Sequence, residues 1–132
     1  MTYAINEVAK MMNIPATTIR YYDKEGLLPY LERKDSGYRI FHKSDVEMLR
    51  LIECFKRTGM SIKEIKEFIE LVKQGDSSLQ QRYDMVVNHK ENVQKQLDDI
   101  QKQMAMVNHK IEYYKTALEA GTEDIHKNKN KN

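Results

Sequence analysis

Cysteine occurs once in the 132 residues, as Cys54, and tryptophan not at all. A lone thiol excludes an internal disulfide and fits a reducing compartment. No apolar run approaches the roughly 20 residues of a membrane span, and the N-terminus has no charged-then-apolar signal pattern. A cytoplasmic protein with no membrane partner is therefore expected. Excess charge of one sign is also scarce. The formal net charge is +2, too small to demand a nucleic-acid partner, so any basic footprint has to be local. Residues 10 to 43 hold seven Lys or Arg against four Asp or Glu, an enrichment that permits DNA binding without requiring it. There is no G-x-S-x-G, no H-E-x-x-H, no phosphate loop and no paired acidic residues, so neither an enzyme nor a cofactor is expected.

What is present reads as a mainly α chain with room for one small globular unit and an appendage. Ile5, Val8, Ala9 and Met12 have the i, i+3, i+4, i+7 spacing of a short amphipathic helix. Asn13 tolerates the left-handed conformation of a tight stop, and Pro15 suits the first turn of a second helix, from about Ala16 to Glu25. Gly26 stands where a left-handed C-terminal cap belongs. The pattern is helix, short turn, helix. Tyr30 to Phe41 follows, with Lys34-Asp35-Ser36-Gly37 as a turn cluster between two extended pieces, the pattern of a hairpin wing. Ser44-Asp45-Val46-Glu47 and Ser61-Ile62-Lys63-Glu64 each read as a capping box, predicting helices from about 45 and 62. Thr58-Gly59 ends the first of these.

From Gln74-Gly75-Asp76-Ser77 onward the composition shifts to Gln, Lys and Asn around regularly spaced apolar residues. Leu79, Val86, Val93, Ile100, Val107 and Tyr114 repeat every seven, and Tyr83, Lys90, Leu97, Met104, Ile111 and Leu118 interleave with them at four and three. That is a heptad seam, the strongest periodic signal in the chain. At ~1.5 Å per residue it spans on the order of 60 Å, more than the head could cover, so the stripe calls for a second helix. No Gly, Pro or turn cluster interrupts 79 to 118, which favours self-association over a hairpin folding back on itself. Lys90 is the only charged seam residue, a type that fixes register at some cost in stability. The expected organisation is a head over 1–75, a dimerisation helix over 76–120, and a disordered basic tail over 121–132.

Tyr21 and Tyr22 are adjacent, so on a helix their side chains point about 100° apart and cannot share one role. Thr17, Arg20, Tyr21 and Lys24 form one polar face, with Ala16 and Ile19 opposite and Thr18 and Tyr22 at the rim. Hydroxyl, guanidinium, phenol and ammonium on one face suit a DNA groove, where Arg grips guanine with two hydrogen bonds and Thr and Tyr reach phosphates or base edges. Tyr22 then either braces the helix or bonds a phosphate from the side. A plain solvated face remains the competing reading on spacing alone.

The run T-T-I-R-Y-Y-D-K-E-G-L-L, between the I-N-E-V-A-K helix and the D-S-G-Y-R-I-F wing, resembles the MerR family of bacterial transcription regulators over residues 2 to about 75, and the long helix continues the likeness to about 118. The resemblance implies a winged helix-turn-helix head and an antiparallel coiled-coil homodimer. It also implies binding to a pseudo-palindromic operator in promoter DNA, which is bent and untwisted where RNA polymerase works. Carried over by position, Thr17, Thr18, Arg20, Tyr21 and Tyr22 match the recognition helix, and Arg33, Tyr38 and Arg39 match the wing that grips the backbone. Asn13 and Asn6 stand where the family often has glycine, and Phe41 where tyrosine is common.

The metal-sensing branch of the family is similar in length but places cysteines at both ends of the dimerisation helix, where this chain has none. His42, His89, His109 and His126 form no ligand pair, so no metal site is expected. With about a dozen residues following Leu118, no drug-sized pocket is expected beyond the long helix. Cys54 borders the apolar face formed by Val46, Met48, Leu49, Leu51, Ile52 and Phe55. Arg50 and Arg57, at i−4 and i+3, favour its thiolate, whereas the nearby helix C-terminus disfavours it. A free cysteine can equally be a small buried hydrophobe. The segment I-E-C-F-K-R-T-G-M-S-I-K-E-I is similar to the AdhR/NmlR-like subfamily, which implies a sensing role for Cys54 in aldehyde, electrophile or nitrosative stress. Two further readings stay open: a repressor without thiol sensing, and a coiled-coil adaptor whose head binds protein.

Overall fold

The computed structural model describes residues 1–127, in two compact units, one of Met1–His89 and one beginning at Lys90. In chain order the elements are β1 (Thr2–Tyr3), α1 (Ile5–Met12), α2 (Ala16–Lys24), β2 (Glu32–Arg33), β3 (Arg39–His42), α3 (Lys43–Arg57), α4 (Ile62–Lys73), a 3-10 turn (Gly75–Ser78), α5 (Leu79–Ala120) and α6 (Asp124–Lys127). The first unit is built on helices α1 to α4 and a small antiparallel sheet in the order β1-β3-β2.

Helix ends follow local chemistry. Asn13 closes α1 at φ 53°, inside the left-handed region that its side chain tolerates. Pro15, expected in the first turn of α2, instead precedes it as the extended N-cap. Gly26 has φ 79°, so α2 stops one residue before the expected Glu25 and the chain turns into Leu27 and Leu28, both buried. The Ser61 box forms as expected: its hydroxyl accepts from the Glu64 amide at 3.1 Å, and the Glu64 carboxylate accepts from the Ser61 amide at 3.3 Å. The box expected at Ser44 does not form. Strand β3 runs straight into α3, so His42 is the N-cap and its amide donates to Asp45 Oδ2 at 2.8 Å. Asp45 does the work assigned to Glu47 because the helix begins two residues earlier than its polar pattern suggested.

The hairpin also forms, with Glu32 opposite Ile40 and Arg33 opposite Arg39, and Gly37 takes φ 87° at its turn. What the sequence did not signal is β1, whose two residues pair with the far side of β3, Thr2 with His42 and Tyr3 with Phe41. Phe41, which departs from the family's common tyrosine, is wholly buried, so a hydroxyl there would need a partner in the core.

The core of this unit joins Val8 of α1, Ile19 and Tyr22 of α2, Phe41 of β3, Leu49, Ile52 and Phe55 of α3, and Ile65 and Ile69 of α4. Each fully buried aliphatic or phenyl side chain contributes about 1.5–3 kcal/mol through removal from water. The unit does not end at residue 75. Met85 packs against this core, and the His89 ring meets Phe55 edge-on, centroids 5.5 Å apart, with Nε2 2.6 Å from Thr58 Oγ1. The opening turns of α5 therefore belong to the head.

The second unit is the rest of α5 and a short return. Gly121, at φ 73°, ends α5. Residues 121–127, expected within a disordered tail, instead fold back, with Asp124–Lys127 as α6. His126 stacks on Tyr113 with centroids 4.0 Å apart, and the Tyr113 hydroxyl donates to Glu123 at 2.8 Å. An aromatic ring on α5 gives the return a docking point that a polar composition does not reveal. The remainder of the expected tail lies outside the described residues. No helix is long and apolar enough to cross a membrane among the described residues.

Candidate nucleic-acid interface

Three polar anchors hold α2 in the head. At one flank the buried Tyr22 donates its hydroxyl to the Glu53 carboxylate of α3. At its end Glu25 pairs with Lys66 of α4 at 2.5 Å. On the side of the wing Asp23, buried, pairs with Arg33 of β2 and, at 2.7 Å, with Arg39 of β3. Together with Ile19 in the core, these contacts occupy every side of the helix except one.

The remaining side carries Thr17, Arg20, Tyr21 and Lys24, all exposed. Among the described residues neither Arg20 nor Lys24 enters an ion pair. Two cations with hydroxyl and phenol donors thus stand together on a helix fixed from behind, as a groove-reading helix requires. Thr18 sits half-buried at the rim, as its spacing predicted.

Tyr22 corrects the expectation. Its place in the motif puts it with the DNA-contacting residues, yet it has no exposed surface, its hydroxyl is engaged by Glu53, and Lys56 Nζ lies 5.3 Å from its ring centroid. Of its two expected roles only bracing survives. Burial, followed by the Glu53 hydrogen bond, raises the Tyr22 pKa well above its ordinary value, so the phenol stays protonated and keeps donating.

The wing is organised differently from the reading in which its arginines simply reach outward. Arg33 and Arg39 are cross-strand partners, so their side chains leave the same face of the ribbon. Both turn to Asp23. Arg39 is one-quarter exposed and Arg33 about half, so each retains surface and unused N–H donors. Tyr38 at the turn is half exposed, with Lys34 Nζ 5.6 Å from its ring centroid.

Cys54 is exposed rather than packed away as a small hydrophobe. It lines a cleft of ≈ 390 Å³ together with Met11, Met12, Arg50, Glu53 and Arg57. The cleft brings the two arginines that its spacing predicted beside the cysteine, and adds Glu53, the acceptor for Tyr22. Arg57 pairs with Glu53 at 3.4 Å.

The heptad residues lie as the seam requires on one stripe of α5. Leu79, Tyr83, Val86, Leu97, Ile100, Met104, Val107, Ile111, Tyr114 and Leu118 are all exposed in the single chain, Val93 is half-buried, and Lys90 is exposed among them. Of the histidines, His42 Nε2 lies 2.7 Å from Glu32 Oε2, His89 packs on α3 and His126 on α5. Among the described residues no group of three or more His, Cys, Asp or Glu is placed to hold a metal ion.

Known proteins resemble this chain in sequence and in fold. Residues 3–71 match the family model described as MerR HTH family regulatory protein, and residues 46–110 match the one described as MerR, DNA binding. The chain is 37% identical to an uncharacterized HTH-type transcriptional regulator of Haemophilus influenzae, over 92% of this chain and 90% of the relative. It is 33% identical to the HTH-type transcriptional regulator AdhR of Bacillus subtilis, over 67% of this chain and 64% of that protein. Among solved structures it resembles HiNmlR, a MerR family regulator lacking the sensor domain and bound to promoter DNA, at TM-score 0.86 and 36% identity, over 95% of this chain and 99% of that one. A MerR family regulator from Bacillus thuringiensis aligns at TM-score 0.78 and 40% identity, over 84% and 97%. These relatives are transcriptional regulators, not enzymes, and with family models matched over residues 3–71 and 46–110 the chain belongs to the MerR family of DNA-binding transcriptional regulators.

Proposed function

We propose that two copies of the chain clasp along the 79–118 seam as an antiparallel coiled coil and bind a pseudo-palindromic operator within a promoter. Each head sets Thr17, Arg20, Tyr21 and Lys24 in the major groove and Arg33, Tyr38 and Arg39 against the backbone. The observation that carries this is the apolar stripe of α5. Ile100 is 60% exposed, Ile111 57% and Leu118 81%, in a chain whose head has closed its own core. A stripe of that length on one helix is covered by another helix of the same period. Symmetric dimers repeat the recognition face, and a two-fold protein reads a two-fold site. Bending and untwisting of promoter DNA then presents it to RNA polymerase, and the deformation cost makes the sequence between half-sites matter.

Regulation in this reading falls to Cys54. Its exposure, and the guanidiniums of Arg50 and Arg57 around the same cleft, support reaction with aldehydes or other electrophiles; addition of a thiol across a carbonyl needs no co-reactant, since the sulfur bonds carbon and its proton passes to oxygen. A group added there crowds Glu53 and Arg57 on α3, the helix against which α2 is braced.

Sedimentation at micromolar concentration, alone and with a duplex selected by the protein from a random library, tests the dimer and the operator together. A species of twice 15.6 kDa that prefers the selected duplex over random DNA by ~10³-fold or more, with affinity falling steeply as salt rises, is expected. A monomer in both conditions removes the reading.

A further inference from the structure

Asp23 has one carboxylate serving two arginines that face each other across the wing. Arg33 and Arg39 are Cα partners on β2 and β3, and like charges directly opposite on a ribbon destabilise it. Asp23 Oδ2 accepts from Arg33 Nη2 and from Arg39 Nε, the latter at 2.7 Å. The carboxylate side chain is 5% exposed, whereas the arginines keep 47% and 24%. The anion is thus sealed inside and the cations remain at the surface. On α2, residue 23 lies about 60° around the helix from Arg20, at three steps of about 100°, which places the wing alongside the edge of the recognition face that Arg20 occupies.

We propose that Asp23 is a positioning residue for DNA recognition: it locks the wing to the flank of the recognition helix and fixes which N–H donors of Arg33 and Arg39 are turned outward for phosphate. Each guanidinium has five N–H donors. Giving one of them to Asp23 leaves a net charge of +1 for the cluster and a defined orientation for the remaining donors. The assignment rests on the recognition face meeting DNA as set out above, and it predicts an effect opposite in sign to simple charge counting. Removing a negative charge beside a phosphate-binding surface ought to strengthen binding to any duplex. Removing a positioning group weakens binding to the right one.

The experiment measures binding of the full chain to a duplex selected with the wild-type protein and to a random duplex of equal length, across a salt series, for wild type, Asp23→Asn and Arg20→Ala. For Asp23→Asn, affinity for the selected duplex is expected to fall about tenfold while affinity for random DNA holds or rises, so the preference shrinks by at least that factor. Equal tightening on both duplexes, or no change on either, overturns the assignment. If Asp23→Asn melts below the assay temperature, Asp23→Glu keeps the charge on a side chain one methylene longer; it is expected to shrink the preference too, and an unchanged preference overturns the assignment. Arg20→Ala separates the two failures. Loss of preference there, with none at position 23, removes only the role of Asp23, whereas unchanged binding by Arg20→Ala removes the interface reading itself.

Discussion

The phenol of Tyr22 lies wholly buried beneath α2 and donates to the carboxylate of Glu53 on α3, so the helix that carries the proposed recognition face is tied to the helix that carries Cys54. Glu53 also receives Arg57 at 3.4 Å and forms part of the Cys54 cleft. Tyr22→Phe keeps the ring and removes the donor. A loss of about 1–2 kcal/mol is expected in urea unfolding, because the Glu53 carboxylate loses one of its two partners in a site of limited solvent access. The pH dependence has a definite sign. Since the Tyr22 pKa is raised in the fold above its ordinary 10.0, its contribution is fully present below pH 10 and is lost as pH climbs beyond it. Wild-type stability should therefore decline above pH 10, and the Phe variant should decline less.

Arg20 and Arg39 are expected to fail differently. Arg20→Ala should lose about 1–3 kcal/mol at particular base pairs and leave binding to random DNA nearly intact. Arg39→Ala removes a guanidinium and unbalances Asp23, and should weaken binding to all sequences. Footprinting and shift assays on selected and random duplexes decide it; equal losses for Arg20→Ala on both would count against direct readout.

The seam gives a sharp test at Leu97, which lies in the second unit, outside the head. Leu97 is 51% exposed in the single chain. Leu97→Asp would place a carboxylate in the paired stripe, where desolvation costs several kcal/mol. The expected outcome is a monomer by sedimentation with unchanged circular dichroism for the head and a large loss of operator affinity.

Cys54→Ser replaces an exposed thiol with a hydroxyl of nearly the same shape, so stability should move by no more than about 0.5 kcal/mol. Promoter output should become insensitive to formaldehyde and methylglyoxal while operator binding stays as in wild type. Unchanged induction in a reporter strain would remove the sensing role and leave the regulator reading standing.

Much of the scaffold was legible in the sequence. Asn13, Gly26 and the Ser61-Glu64 pair end or start helices through interactions within a few residues, and the apolar stripe of α5 repeats with a period that only a helix matches. The polar face of α2 was legible for the same reason, since the spacing of Thr17, Arg20, Tyr21 and Lys24 places them together whatever surrounds the helix.

The sequence by itself thus determined which residues share a face and where the helices stop, because both depend on backbone geometry over one or two turns. Only the tertiary structure decided what each face meets. Tyr22 became a core residue because α3 covers its side of α2, Asp23 became the hub of two arginines because β2 and β3 pair beside it, and Asp45 displaced Glu47 as a cap because β3 leaves no loop before α3. Strand β1, two residues long, carries no period at all and exists because β3 offers it an edge. Contacts between distant segments are set by the packing that leaves the fewest polar groups unpaired and the least apolar surface wet, and neither quantity can be summed along a single stretch of chain.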